Sequence, residues 1–187
     1  GSFFNNLSFT GSTSTVSGST AGSALTVVVG SITLASGGTY LLLTVNQQLT
    51  GTISGNGRTI ASLSITTAGL TTTISTALTV TGTTTWGSGI TGTLILSADL
   101  TTGSFSAAGT SVRSISFGAN YIVMATNGLA MSSVDNFTWT GTGGFKGNMT
   151  ASTQSFNFGA TSGGSATNAP NMLIYTGANT ASLTTSS

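Results

Sequence analysis

Asp99 and Asp135 are the only acidic side chains in this chain of 187 residues, which contains no Glu, His or Cys. General acid–base catalysis, thiol chemistry and most metal sites draw on these residue types. A glycosidase with paired carboxylates would have to use both aspartates. Asp next to a strand more commonly accepts a hydrogen bond from its own backbone in a turn. We therefore interpret Asp99 and Asp135 as turn residues and expect no enzymatic activity, cofactor or metal.

The basic side chains are Arg58, Arg113 and Lys146, and the formal net charge is +1. Nucleic-acid binding requires a clustered basic face, so we expect no nucleic-acid partner. Two ion pairs are possible, Arg58 with Asp99 and Arg113 with Asp135. The spacing along the sequence does not decide whether either of them forms. Exposed pairs of this kind contribute about 0–1 kcal/mol each.

Trp86 is the candidate contact for a glycan. It lies in the segment Thr83–Gly89, whose Thr, Gly and Ser residues are typical of a turn. An aromatic ring in a turn is expected to be exposed, where it could stack on a sugar. The alternative is that the ring belongs to the core, as aromatic residues in strands usually do.

The elements that would position these side chains are short strands. Apolar residues recur at every second position with hydroxyl residues between them, which is the pattern of a strand with one buried face. Ser and Thr supply 68 positions, and helix-forming Glu, Lys and Arg are nearly absent. The alternating segments are Leu7/Phe9, Leu25/Val27/Val29, Ile32/Leu34, Leu41/Leu43/Val45, Leu63/Ile65, Leu78/Val80 and Leu94/Leu96.

Strand starts at Leu63, Leu70 and Leu78 fall seven or eight residues apart, which leaves room for tight turns and none for helical crossovers. Two all-β architectures meet this description. A β-solenoid stacks successive rungs of strands, whereas an antiparallel β-sandwich joins its strands by hairpins. The Asn-Gly pairs typical of hairpins occur only at Asn56-Gly57 and Asn127-Gly128. The sequence therefore favours the β-solenoid, a parallel β-helix, with the sandwich as the alternative.

The composition changes near residue 118. Residues 1–118 are regular and rich in Thr, Leu and Val, and we expect them to form the solenoid. Residues 119–187 contain all four Met and the only Pro, and we expect an irregular β cap or a second β-subdomain. The segment Ser114–Ala119 recurs in similar form as Ser155–Ala160, which suggests an internal repeat.

Rows of Thr such as Thr71-Thr72-Thr73 and Thr81-Gly82-Thr83 invite an ice-binding interpretation. That interpretation requires Thr at a strict rung period, and the spacing along the chain is irregular. We therefore interpret these residues as solvent-facing strand Thr.

The scarcity of charge predicts association. Soluble monomers usually carry a charged surface, about 25–35% Lys, Arg, Asp and Glu, whereas this chain has 3%. The absence of Cys has two interpretations. A cytosolic protein can lack Cys by chance, whereas a secreted or virion-exposed protein avoids it because stray thiols crosslink. Apolar runs such as Tyr40–Leu43 are too short to span a bilayer, which takes about 20 residues. We therefore expect copies of the same chain as partners, and no membrane insertion.

Several segments together resemble the Thr/Ser/Gly-rich tandem repeats of phage tail-fibre and bacterial surface-fibre proteins. These segments are Phe4–Gly11, Leu78–Gly82, Val112–Gly118, Phe137–Gly143, Phe158–Gly164 and Asn168–Asn171. In that group, units similar in length to this chain follow one another. The ending Ala181–Ser187 resembles the stretch that leads into the next Asn-Asn-Leu-Ser-Phe. The resemblance carries over no catalytic residues.

The resemblance implies a structural repeat unit of an extracellular or virion fibre that assembles end to end without enzymatic activity. An alternative from another class is an adhesin, or a receptor-binding fibre module, that recognises cell-surface glycans. A third hypothesis is a polysaccharide hydrolase, which would depend on Asp99 and Asp135.

Overall fold

The computed structural model describes residues 3–8, 25–132, 136–148, 153–160, 171–175 and 180–186. The described residues form strands and turns without any helix. Every pairing between the described strands is parallel, and the ladders stack as a β-solenoid of about six turns. The predicted β-solenoid is therefore confirmed. The antiparallel sandwich is wrong, because its hairpins would produce antiparallel registers.

The described strands vary in length because some bend around a corner and others end there. Their bounds are β1 Phe3–Ser8, β2 Leu25–Thr33, β3 Tyr40–Gln47, β4 Gly51–Ile65, β5 Leu70–Trp86, β6 Gly92–Leu96, β7 Leu100–Ala107, β8 Arg113–Gly118, β9 Tyr121–Met131, β10 Phe137–Gly141, β11 Gly144–Asn148, β12 Thr153–Ala160, β13 Asn171–Tyr175 and β14 Thr180–Ser186.

Strand pairing divides the solenoid into three faces, each a column of stacked parallel segments. Face A consists of 3–4, 25–29, 43–47, 62–65, 83–86, 104–107, 128–131, 155–157 and 182–184. Face B consists of 6–8, 31–33, 51–54, 70–74, 92–96, 113–118 and 137–141. Face C consists of 40, 58–60, 78–80, 100–102, 121–124, 144–148 and 171–175.

One rung explains the strand spacing seen in the sequence. Leu63 lies on face A, Leu70 on face B and Leu78 on face C. Thr84 then returns to face A, where it pairs with Leu63 and belongs to the next rung. The interval of seven or eight residues is therefore the length of one face with its corner.

The chain turns sharply at corners where one backbone approaches the next. At Gly103, an added Cβ would lie 2.7 Å from the carbonyl oxygen of Gly82 and closer still to that of Thr81, and at Gly82 it would lie 2.8 Å from that of Ala61. Real Cβ atoms do not come so close to a backbone oxygen. The register of face C shifts to that of face A at these same corners. Glycine is therefore required there by the packing of backbone on backbone.

The core is a set of apolar columns along the solenoid axis. On face A, Val27, Val45 and Leu63 stack in register, Thr84 follows in the next rung, and Phe105 and Leu129 continue the column. All six are buried. Because side chains alternate in and out of each strand, the residues between them point to the outside. Burying one Leu, Ile, Val or Phe contributes about 1.5–3 kcal/mol, so the stacked columns are the main source of stability.

Strand pairing continues across the composition change near residue 118. Face B pairs β8 with β10, and face C pairs β9 with β11. The rungs become longer toward the C-terminal side, since the interval from Gly128 to its partner Ser155 exceeds the interval from Leu25 to its partner Leu43. The division into 1–118 and 119–187 thus describes composition and rung length, and no break in the ladders accompanies it in the described residues.

The repeat of Ser114–Ala119 as Ser155–Ala160 is not the repeat of the structure. Ser114 lies on face B and pairs with Thr138, whereas Ser155 lies on face A and pairs with Gly128. The two segments share an alternating pattern because both are strands with one buried face. The structural period is the rung, and rungs differ in length.

Candidate functional site

Trp86 is buried, and its expected exposure is wrong. Only 1% of its surface is accessible, because it is the last residue of β5 and lies in register with Ile65 and Ala107 on the inner side of face A. Its ring and the ring of Phe137 form a T-shaped contact with centroids 6.1 Å apart. A ring in this position cannot stack on a sugar. The alternation of inward and outward positions along β5 predicts an inward Trp86 correctly. The Gly and Ser residues that follow Trp86 instead suggested a turn and an exposed ring.

Arg113 is the charged residue whose burial the sequence did not predict. It is 1% exposed and occupies the inward position that alternates with Ile115 and Phe117. Its guanidinium lies 5.6 Å from the ring centroid of Trp86 and 5.5 Å from that of Phe137. The cation is thus held against two aromatic rings inside the solenoid.

Three backbone carbonyls accept hydrogen bonds from the Arg113 guanidinium. Nε donates to Ile90 at 3.0 Å, and Nη2 donates to Gly87 at 2.8 Å and to Ala108 at 2.5 Å. Burial lowers the pKa of Arg113 from its ordinary value, because the charged form loses hydration. The guanidinium joins the corners of neighbouring rungs, so its function in this geometry is structural.

Asp99 lies at the corner between β6 and β7, as expected of a turn residue, but its carboxylate does not bond to its own turn. Its Oδ1 accepts a hydrogen bond from the backbone N–H of Tyr121 at 2.8 Å, in the next rung. Arg58 pairs with Leu78, and Leu78 pairs with Leu100. Asp99 is therefore two rungs from Arg58, about 10 Å along the axis at 4.7–4.9 Å per strand, and the two do not form an ion pair.

Asp135 lies outside the described residues. The hypothesis of a two-carboxylate hydrolase and the pair of Arg113 with Asp135 both depend on its position, so both stay untested predictions.

The outer surface of face B carries a column of hydroxyl side chains. Thr71 pairs with Thr93, and Ser114 with Thr138, and Thr93 pairs with Ser114 to join them in one column. The spacing looks irregular along the chain because corners of different length separate the strands. Stacking restores the regularity.

Hydroxyl groups also connect adjacent rungs. Ser54 and Ser75 lie 2.8 Å apart through their Oγ atoms, and Thr83 Oγ1 and Ser104 Oγ lie 2.8 Å apart. The surface therefore satisfies part of its own hydrogen-bonding capacity while it stays polar.

Both ends of the described solenoid present strands with one partner. At the N-terminal end, β1 pairs with β2 alone among the described strands. At the other end, β10, β13 and β14 close faces B, C and A, and each pairs with a single described strand. The free side of such a strand can accept another strand.

A shallow depression of about 220 Å³ lies on face C where residues 38–41 of one rung approach residues 57–59 of the next. Arg58 lies in it, and Thr39 and Thr59 contribute to its walls. Leu41 is 54% exposed at the same place. The depression thus combines concave shape, a cation and hydroxyl groups.

No cluster of three or more His, Cys, Asp or Glu residues occurs in the part of the chain that the structure describes. The same part of the chain has no helix long and apolar enough to cross a membrane. Comparison with known proteins finds no matching protein family, no matching curated protein and no matching solved structure. The function must therefore be argued from the geometry alone.

Proposed function

We propose that this chain is a structural repeat unit of an extracellular or virion fibre that assembles end to end and has no enzymatic activity. The observation that carries the proposal is the pair of strand edges at opposite ends of one solenoid. β1 has a free side at one end, and β10, β13 and β14 have free sides at the other, as far as the described strands go.

A second copy can extend the ladders by parallel strand addition. In β-augmentation the backbone N–H and C=O groups of an edge strand pair with those of an added strand. The described solenoid already stacks its strands in parallel, so an added β1 would continue the geometry of β14 on face A. The free side of β1 then acquires hydrogen-bond partners from a neighbour.

An apolar side chain at the N-terminal end supports the same arrangement. Phe4 in β1 is 36% exposed, although it pairs with the buried Val29 of the next rung. The apolar columns are otherwise buried along the axis. A stacked neighbour would cover Phe4, as each rung covers the one before it.

The two ends present different strands, so contact between them is heterologous, which makes open filaments where the rotation does not close a ring. The sides of the solenoid carry hydroxyl groups and few charges, and the chain has only five charged residues. Growth is therefore favoured along the axis, where unpaired backbone is exposed, over lateral contact between hydroxyl surfaces that water hydrates well.

The test compares assembly of two lysine variants. Phe4→Lys places a charge on β1, whereas the control Thr79→Lys places one on the outer side of face C between two paired rungs. We expect wild type and Thr79→Lys to form filaments as concentration rises, seen by electron microscopy and sedimentation, and Phe4→Lys to remain short or monomeric. Circular dichroism confirms that each variant is folded.

The proposal fails if wild type remains a monomer over the whole concentration range. It also fails if Phe4→Lys assembles as well as the control, since the N-terminal edge would then take no part.

A glycan-binding fibre module is the second candidate, and one specific observation favours it: the depression around Arg58. The aromatic platform expected at Trp86 does not support it, because that ring is buried.

A further inference from the structure

We infer that the depression formed by residues 38–41 and 57–59 binds the carboxylate of an acidic sugar unit, with Arg58 as the group that recognises it. The inference does not depend on filament assembly, because the depression lies on face C and involves no strand end that the fibre proposal uses.

The position of Arg58 in the ladder explains why a cation lies there. Arg58 pairs with Leu78, and this inward column continues through Leu100 and Ile122, all three of them buried. Arg58 stands at the N-terminal end of the column. Its long side chain can cover Leu78 with its stem while its charged group stays in water.

Gly38 and Tyr40 shape the depression in the preceding rung. The ring of Tyr40 lies so close to Gly38 that any Cβ at that position would clash with it. The Tyr40 hydroxyl accepts a hydrogen bond from the Ala35 N–H at 2.9 Å, which fixes the ring. Position 38 therefore requires Gly, which has no side chain to extend toward Arg58. The space next to the guanidinium remains open.

The corner that carries Arg58 is tied to its neighbours. Asn56 has a left-handed backbone with φ of 51°, its Nδ2 donates to the Leu34 carbonyl at 2.7 Å, and its N–H donates to Thr76 Oγ1 at 2.8 Å. These bonds connect the corner to the rungs on either side. The guanidinium is thus presented from a prepared backbone, which reduces the entropy lost on binding.

The donors of Arg58 are available to a ligand. Nε donates to the Asn56 carbonyl at 3.4 Å, and the described residues provide no other hydrogen bond to this side chain. The terminal nitrogens form a planar fork that matches a carboxylate with two parallel hydrogen bonds. Asp99, the described carboxylate, is two rungs away, so within the described residues an incoming anion meets no competing acidic group near the site.

The size and walls of the depression indicate the class of ligand. A volume of about 220 Å³ is below the ~300 Å³ at which pockets for drug-sized molecules begin, so it accommodates one small unit. Thr39 and Thr59 bring hydroxyl groups that can bond to sugar hydroxyls, and Leu41 offers an exposed apolar surface. A carboxylate attached to a small polyhydroxylated ring satisfies all three features.

The test measures binding of glucuronate, glucose and acetate to the wild-type chain by NMR titration, at protein concentrations below those at which filaments form. We expect glucuronate to shift resonances of Thr39, Leu41 and Thr59. Glucose and acetate should each bind at least tenfold more weakly, because glucose lacks the carboxylate and acetate lacks the ring. Raising the salt concentration should weaken glucuronate binding, because the attraction at an exposed site is screened.

Arg58→Gln should weaken glucuronate binding at least tenfold, whereas Lys146→Gln should leave it unchanged. Lys146 is a matched control because it is the other cation at a face C position and lies several rungs away.

Unchanged binding by Arg58→Gln, or equal binding of glucose, would overturn the inference. Acetate that binds as tightly as glucuronate would show a simple anion site and would overturn the sugar assignment. Arg58→Gln should still form filaments, so failure here is distinguishable from failure of the fibre proposal.

Discussion

At the scale of single residues, the position of a side chain in its rung decides what it does. Arg58 and Arg113 are chemically identical and both occupy inward register positions. Arg113 has stacked rungs on both sides and becomes part of the core, whereas Arg58 ends a column and reaches solvent. The first is therefore a structural residue, and the second is the candidate for binding.

Arg113→Ala should lower the free energy of unfolding by about 2 kcal/mol or more, because the Ile90 and Ala108 carbonyls lose their donor at about 1–3 kcal/mol for each unsatisfied group. The Gly87 carbonyl still accepts from the Ile90 N–H. The substitution also opens a cavity beside Trp86. Urea unfolding followed by circular dichroism measures the change. Arg58→Ala is the control and should cost about 1 kcal/mol or less, because its only described hydrogen bond is long and exposed. Equal losses in the two variants would contradict the structural assignment of Arg113.

At the scale of elements, strands and corners follow different rules. Strand segments need alternation of apolar and hydroxyl residues, and this pattern tolerates many substitutions. Corners need a backbone that passes close to its neighbour. Gly103 meets this demand, since it faces the carbonyl oxygens of Thr81 and Gly82 in the adjoining rung.

Gly103→Ala should destabilise the solenoid by about 1–3 kcal/mol, as overpacking does, because the new methyl group would lie 2.7 Å from the Gly82 carbonyl oxygen and force the rungs apart. Thr101→Ala, two residues earlier on the outer side of face C, should change stability by about 0.5 kcal/mol or less. Thermal unfolding of both variants checks the difference. If Gly103→Ala unfolds at the wild-type temperature, the close approach at this corner is not required.

At the scale of the whole molecule, stability comes from stacked apolar columns and parallel ladders rather than from charge. Even the buried cation of Arg113 bonds to backbone carbonyls, and the outer surface depends on hydrogen bonds between hydroxyl groups. Such a molecule suits the proposed fibre, because its described interior is continuous along the axis and its ends present unpaired backbone.

Stability should be nearly independent of pH from about pH 5 to about pH 9, because the chain has no His or Cys to titrate in that range. Arg113 makes the free energy of unfolding depend on pH only at strongly alkaline pH. Its pKa is lowered in the folded state by burial, so the unfolded chain binds more protons as the folded pKa is approached. Its contribution to stability therefore rises with pH there. Unfolding midpoints measured at regular pH intervals check this, and a marked slope near neutral pH would contradict it.

The sequence by itself determined the class of fold, because the alternation of apolar and hydroxyl residues is a local consequence of strand geometry. It also determined the spacing of faces at Leu63, Leu70 and Leu78, because an inward-facing apolar residue occurs on each face. Only the tertiary structure decided which segments stack. Because the rungs differ in length, the sequence does not show which residue of one rung pairs with which residue of the next. That register buried Trp86, placed Arg113 against two aromatic rings and left Arg58 at the end of its column, because burial depends on neighbours that are distant along the chain.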